Sequence, residues 1–298
     1  ERVQEARESR LREVEGYFID PDVTLGQQKR SGVEGLTVWT MMGSSMLLVL
    51  GQFGSGKSTL LAEWAHRCWQ RDEGPRPVII HLTGATGDPW SMLHAATSVP
   101  DTPVGRVALE LLVARGHVIP CFDGLDEMAT RISTTDLSAR VEALAAMVDE
   151  GGRMIIAARD HYFDSDELLG KVVRTGLARG AHGPPELMVR PLREEQIRQV
   201  LDHVCGSEGS GAAALRKIHR IYDLRDLVTR PLLLAMVAQT LDSIDPDARV
   251  GTADIYETYL QRWLEHTHEG EAEAFSDAQK QAFAEALAEQ LWRLGETA

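Results

Sequence analysis

Short apolar runs recur along the chain at Met46–Leu50, Pro77–Leu82, His117–Phe122, Met154–Ala158 and Leu187–Val189, with helical periodicity in between. Runs this short and this free of polar residues suit strands buried on both faces, and their alternation with helices predicts a parallel sheet covered on both sides. Two of the intervening helices have readable stripes. Leu137, Val141, Leu144, Ala145 and Val148 share one face, and upstream Val104, Val107, Ala108, Leu111 and Leu112 share another; both stripes are expected to pack on the sheet. Beyond Arg190-Pro191 no strand-like run returns. The helix opening at Leu192-Arg193-Glu194-Glu195-Gln196-Ile197 carries Ile197, Val200, Leu201 and Val204 on one face, which predicts a separate helical domain. Ser207–Gly211 reads as a loop, Ala212–Tyr222 as a helix, and Pro231 as the first turn of the helix running through Leu232-Leu233-Leu234.

The first apolar run leads directly into Gly51-Gln52-Phe53-Gly54-Ser55-Gly56-Lys57-Ser58, which matches G-x-x-x-x-G-K-[ST] and is followed by Thr59 and a helix. Glycines allow the backbone to curl so that several N–H groups converge on an anion, Lys57 adds a mobile positive charge for the outer phosphates, and Ser58 can ligate Mg²⁺. The implied guest is a nucleoside triphosphate, and the implied fold class is α/β, a parallel-sheet P-loop NTPase core followed by a small helical domain. Ligands of open α/β sheets bind outside the carboxyl ends of the strands, where the loop starting at Gly51 would lie.

Two further strand tips carry chemistry. Val118-Ile119-Pro120-Cys121-Phe122 ends in Asp123-Gly124-Leu125-Asp126-Glu127, and an acidic residue at the tip of a neighbouring strand is the usual holder of Mg²⁺ in such enzymes, which makes Asp123 the candidate. A further carboxylate can orient the attacking water; Glu127 is favoured for this and Asp126 is the alternative. The strand Met154–Ala158 ends in Arg159, whose planar fork suits the oxygens of a terminal phosphate.

With 298 residues, 43% hydrophobic and 26% charged, the chain can bury a large core and a smaller second one. Its net charge of −14 argues against duplex nucleic acid as the main ligand, and no direct nucleic-acid contact is expected. No stretch reaches the length of a membrane span, and the charged stretch Glu1–Arg10 lacks the apolar segment of a secretion signal, so the expected location is the cytoplasm. Cys68, Cys121 and Cys205 are too few and too scattered for a disulfide framework or a zinc site and read as buried thiols. The six tryptophans read as core or interface residues, and no histidine set has the spacing of a metal site, so the only metal expected is nucleotide-bound Mg²⁺.

Together, the phosphate loop, Asp123-Gly124-Leu125-Asp126-Glu127, Leu187-Met188-Val189-Arg190-Pro191-Leu192 and Arg230-Pro231-Leu232-Leu233-Leu234 resemble the NACHT domain of the STAND class of P-loop NTPases, with Tyr17-Phe18-Ile19-Asp20-Pro21 similar to that family's lead-in. The resemblance spans roughly residues 18 to 298. It implies an ASCE-type core and four segments: a helical lead-in or linker over 1–29, the NTPase domain over 30–190, the helical domain over 191–250 and the start of a winged-helix domain over 251–298. It further implies ATP and ADP with Mg²⁺ as ligands, slow hydrolysis, self-oligomerisation on exchange of ADP for ATP, and effector or sensor domains in a longer chain, in bacterial defence or signalling. By the same resemblance Pro231 touches the adenine and Val23-Thr24-Leu25 borders it. In the tail, Tyr256, Tyr259, Leu260 and Trp263 form one stripe, and Ser276 with Gln279 forms a capping box ahead of Phe283, Leu287, Leu291 and Leu294. Two features depart from the family: its sensor strand ends in a Ser-Arg-Pro-like phrase where this chain has Ala158-Arg159-Asp160, and the winged-helix histidine that contacts phosphate in the family is not assigned to a residue here. The alternatives are a nucleotide-gated interaction scaffold with negligible turnover and a small-molecule kinase. A transporter-type signature Leu-Ser-Gly-Gly-Gln and a guanine-reading Asn-Lys-x-Asp are both absent.

Overall fold

The computed structural model describes residues 17–82, 87–97, 99–100, 102–129, 132–149, 151–163, 168–177, 183–204, 210–220, 224–241, 257–259 and 277–293. A seven-stranded sheet organises it. Its strands are β1 (Asp22–Leu25), β2 (Gln28–Ser31), β3 (Met46–Gly51), β4 (Arg76–His81), β5 (Val118–Asp123), β6 (Met154–Arg159) and β7 (Glu186–Val189), in the spatial order β2-β1-β7-β3-β6-β5-β4. The five from β7 to β4 are parallel, as the apolar runs predict, while β1 pairs antiparallel with both β2 and β7. These five fall within a residue or two of the runs read from the sequence. Residues 22–31 also belong to the sheet, as a hairpin that crosses the boundary the resemblance implies between a lead-in or linker over 1–29 and the NTPase domain.

Side chains alternate across the sheet at the two-residue period of a strand. Leu48, Leu50, Phe122, Ile156 and Ala158 face one core, and Leu47, Val49, Cys121, Ile155 and Ala157 face the other. The second core is closed by α1 (Gly32–Thr40) and α2 (Lys57–Trp69), which contribute Leu36, Trp39, Leu60, Leu61 and Trp64. The first is closed by α3 (Pro89–Ala96), α4 (Pro103–Ala114), the short α5 (Leu125–Ala129), α6 (Thr134–Ala146) and α7 (Leu168–Leu177). On α6 the predicted stripe is the buried one: Leu137, Val141, Leu144 and Ala145 all pack inward, with Val148 just beyond.

On α4 the prediction fails. Val104 is 80% exposed, Val107 54%, Leu111 49% and Leu112 38%, and Ala108 is exposed as well, whereas Leu109 and Val113 are fully buried. Gly105 completes the inner face, because a Cβ there would collide with the Pro100 carbonyl oxygen. The helix is apolar on two sides, and the stripe read from the sequence is the outer one.

The helical domain follows as α8 (Glu194–Val204), α9 (Ser210–Arg220), α10 (Leu224–Leu227) and α11 (Pro231–Thr240) around a third core of Ile197, Val200, Leu201, Leu215, Ile218, Leu224 and Leu234. Helix α9 begins two residues before its predicted start, and Pro231 occupies the first turn of α11 as expected. A further helix, α12, spans Asp277–Arg293, with Phe283 70% exposed. Ser276, Tyr256, Leu260, Trp263 and Leu294 lie outside the described residues. Among the described residues no helix is long and apolar enough to cross a membrane.

Candidate functional site

Parallel pairing brings three strand tips abreast. Gly51 is in register with Arg159, Asp123 with Ala157, and His81 with Asp123, so the phosphate loop, the acidic tip and the arginine tip share the carboxyl edge of the sheet. From Gly51 the chain turns back into α2 through Gly54 at φ 72° and Gly56 at φ 88°, the left-handed region that glycine enters without a Cβ penalty. Gly56 is the N-cap of α2 and makes no side-chain cap, so the first N–H groups of that helix remain directed at the loop's interior.

The loop opens onto a cavity of about 330 Å³. Its polar end is formed by Phe53, Gly54, Ser55, Gly56, Lys57, Ser58, Thr59, Asp123, Gly124, Asp126, Glu127 and Arg159, and its apolar end by Tyr17, Phe18, Ile19, Pro21, Val200, Pro231, Leu232 and Ala235. Of the residues expected at the site, Gly51 and Gln52 are not part of this lining: they form the rear of the loop, where their carbonyls accept from Lys57 Nζ at 2.7 and 3.0 Å. Burial pulls the Lys57 ammonium below its usual range, and Asp126 and Asp123 partly restore it. An ammonium hydrogen-bonded to two backbone carbonyls in a partly desolvated cradle is suited to exchanging them for phosphate oxygens. Ser55 Oγ is buried in the same cradle and makes no hydrogen bond among the described residues, another polar atom that a bound anion would satisfy.

Asp126 and Glu127 are adjacent in sequence yet occupy different environments. The Asp126 side chain is 4% exposed and grips Arg159 twice, with Oδ2 3.0 Å from the guanidinium Nε and Oδ1 accepting the Arg159 backbone N–H at 3.1 Å. Burial lifts its carboxyl above the ordinary carboxylate range, against the pull of the Arg159 amide and guanidinium. Glu127 is 41% exposed, and its Oε1 lies 4.0 Å from Arg159 Nη2. Arg159 itself is 21% exposed, with its guanidinium carbon 5.1 Å from the centre of the Phe53 ring. Asp123 is 7% exposed, with Oδ2 3.4 Å from Nδ1 of His81, a residue that the sequence reading passed over because it ends an apolar run with no motif around it. His161 does not line the cavity, and its ring lies 4.0 Å from that of Tyr162.

The apolar end is tied to both domains by the segment Tyr17–Asp22. Asp20 Oδ1 accepts from the Val33 N–H at 3.1 Å and its carbonyl accepts from Gln196 Nε2 at 3.0 Å, while Asp22 Oδ2 is 2.6 Å from Arg193 Nε. Tyr17 stacks on His203 of α8 at 4.6 Å between ring centres. The phosphate loop meets the helical domain directly: a Cβ on Gly56 would touch Pro231 Cγ at 3.5 Å, and one on Gly54 would touch Leu232 Cβ at 3.3 Å. Pro231 therefore borders the cavity, whereas Val23-Thr24-Leu25 do not line it. Helical spacing links Pro231 to Ala235 and places Val200 on the α8 stripe, the one sequence signal pointing to the apolar wall.

No family model matches the chain. An uncharacterized WD repeat-containing protein of Nostoc sp. is 24% identical over 265 residues, which cover 83% of this chain and 17% of that protein. The chain thus spans about a sixth of the length of the curated relative it matches. Among solved structures, it is similar to the Walker-type ATPase of Pyrococcus abyssi, with a TM-score of 0.48 and 12% identity over 78% of this chain and 71% of the other. It is also similar to the Aeropyrum pernix ORC1 protein, solved in complex with DNA, at 0.45 and 17% over 78% and 65%. Domain III of the Thermotoga maritima replication initiation protein DnaA gives 0.43 and 13% over 76% and 88%.

Proposed function

We propose that this chain is the nucleotide-binding switch of a STAND-type protein, binding ATP or ADP between the sheet and the helical domain and hydrolysing ATP slowly. The observation that carries the reading is the single cavity with two chemically different ends, one of converging backbone N–H groups, Lys57 and carboxylates, the other of apolar side chains contributed by the lead-in and by α8 and α11. A cavity of this volume lies within the range of small-molecule sites. Triphosphate chemistry fits the first end and a purine ring the second.

In this reading Lys57 leaves the carbonyls of Gly51 and Gln52 for the β- and γ-phosphates, while the N–H groups of the loop from Gln52 to Thr59 hold the remaining oxygens. Ser58 and Asp123 are the groups that would hold Mg²⁺, which when bound neutralises the charge of the β- and γ-oxygens. Glu127, the more exposed of the two carboxylates, orients the attacking water. Asp126 is assigned a positioning role, because both its oxygens are engaged with Arg159. Arg159 senses the γ-phosphate, and Pro231 with Ile19 and Leu232 forms the wall for the base. Since that wall comes from the lead-in and the helical domain and the phosphate loop from the sheet, a change at the γ-phosphate can alter how the domains close, which is the physical basis for a switch. Oligomerisation on exchange and a role in bacterial defence or signalling draw on the family resemblance alone, and the WD repeats named in the Nostoc relative would provide the sensor of a longer chain.

The test is to denature freshly purified protein, identify the released nucleotide and its stoichiometry by chromatography, and repeat the measurement with Lys57→Ala. Bound adenine nucleotide that disappears in the variant is the expected result, and unchanged nucleotide handling by Lys57→Ala would refute the assignment. A second reading, a nucleotide-gated scaffold with negligible turnover, is favoured by the 4.0 Å approach of Arg159 to Glu127, since a guanidinium that close competes with the attacking water for the carboxylate. Stoichiometric ADP with no measurable phosphate release from added ATP would select that reading.

A further inference from the structure

Phe53 is an unexpected residue for its place. It stands third in the phosphate loop, its side chain is 47% exposed, and none of the three apolar cores includes it. A large aromatic side chain ordinarily gains most by entering a core, so its partner at the surface is informative. That partner is Arg159, whose guanidinium carbon lies 5.1 Å from the ring centre, within the distance at which a cation is attracted to an aromatic face. The contact follows from the topology. Arg159 is in register with Gly51, so the loop leaving Gly51 must pass over the arginine, and Phe53, two residues on, is where it does so. Asp126 holds the same guanidinium through Nε at 3.0 Å. The arginine is therefore set between a carboxylate and an aromatic ring at the polar end of the cavity.

We propose that Phe53 is the positioning residue for Arg159: its ring is a platform that fixes the guanidinium beside the place of the terminal phosphate, so that discrimination of ATP from ADP depends on the aromatic ring. A free arginine must give up its rotamer freedom to meet a phosphate, and a side chain already ordered gives up less. This inference rests on the reading of Arg159 as the γ-phosphate sensor. It concerns the ratio of affinities for the two nucleotides, in which any change in the part of binding common to both, made by the loop backbone and Lys57, cancels.

The test is calorimetric titration of the full chain with ATPγS and with ADP in the presence of Mg²⁺. Phe53→Ala should lower the ATPγS-to-ADP affinity ratio by about two- to five-fold, the range of a partly exposed cation–π contact. Phe53→Leu, which keeps apolar bulk but has no ring, should lower it equally, and Phe53→Trp should retain it. In an Arg159→Ala background, where the ratio has already fallen, Phe53→Ala should change nothing more. A ratio that Arg159→Ala lowers and Phe53→Ala leaves intact overturns the role of Phe53 alone, as does a Leu variant that behaves like wild type. A ratio unmoved by Arg159→Ala overturns the sensor reading and this inference together.

Discussion

Asp126 is the residue whose replacement tests the site's architecture most sharply, because two substitutions separate its charge from its hydrogen bond. Its carboxylate, 4% exposed, accepts the Arg159 backbone N–H at 3.1 Å and pairs with the Arg159 side chain at 3.0 Å. Asp126→Ala removes both. An orphaned buried N–H costs roughly 1–3 kcal/mol. Loss of one partner from a buried ion pair costs up to about 3–5 kcal/mol, but Arg159 retains some solvent, the Phe53 ring and nearby Glu127, so the expected total is about 3 kcal/mol. Asp126→Asn keeps an acceptor for the N–H and no longer desolvates a charge, and should cost about 1 kcal/mol. The assay is urea unfolding followed through the fluorescence of Trp39 and Trp64, both buried in the core that also contains Ile155 of β6. The sign of the pH dependence is a second check. Because burial raises the folded-state pKa of Asp126 above its unfolded value, its protonation favours the fold; that contribution is full below about 3.9, the unfolded value, and is lost as pH rises through the folded one. Wild type should therefore gain on Asp126→Asn as the pH falls toward the ordinary carboxylate range. Equal losses in Ala and Asn, or a wild type that loses ground to Asn on acidification, would show that the ion pair with Arg159 outweighs burial and that the reasoning is wrong.

Gly56→Ala must hold a Cβ at φ 88°, and at about 1–2 kcal/mol of left-handed strain it should lower the thermal midpoint modestly while reducing nucleotide affinity far more, as seen by titration with ADP. On α4, Leu109→Ala should cost about 2–5 kcal/mol in urea unfolding because Leu109 is fully buried; Leu111→Ala, at 49% exposure, should stay within about 0.5 kcal/mol, and the opposite order would restore the stripe first read from the sequence. Cys68 and Cys121 are buried, and burial raises both thiols above the usual range, so iodoacetamide at pH 8 followed by peptide mass mapping should find neither alkylated in the native protein and both alkylated after unfolding.

The parallel strands are legible because burial on both faces forces an unbroken apolar run, whereas the hairpin at the sheet's other edge obeys no such constraint. Strand β2 is Gln28-Lys29-Arg30-Ser31, without an apolar residue, and in β1 only Val23 and Leu25 are buried, two alternate positions in a strand of four. What makes them strands is tertiary, the pairing of Val23 with Val189 and of Leu25 with Leu187, and no local pattern encodes it. Helix α4 misleads for the reverse reason. It is apolar on two sides, so two stripes satisfy the helical period, and the inner one is marked only by Gly105, where the Pro100 carbonyl leaves no room for a Cβ.

The same division runs through the site. Its phosphate end is one contiguous motif plus two strand tips, each readable from the type of residue that ends an apolar run. Its apolar end is assembled from Tyr17–Pro21, Val200 and Pro231–Ala235, segments joined by the fold and by no spacing in the chain. At the phosphate end, Asp126 and Glu127 are adjacent residues of the same charge, and sequence favours Glu127 for the water without saying which of them is buried. Consecutive residues on a helix point about 100° apart, so on the short α5 Asp126 and Glu127 cannot share an environment, and β6 decides which turns inward. Its last residue presents both a backbone N–H and a guanidinium to the carboxylate that faces it, and Asp126, meeting both, is buried. Both carboxylates border the cavity, and Glu127 is left the more exposed of the two, which is why the proposed reading gives it the water.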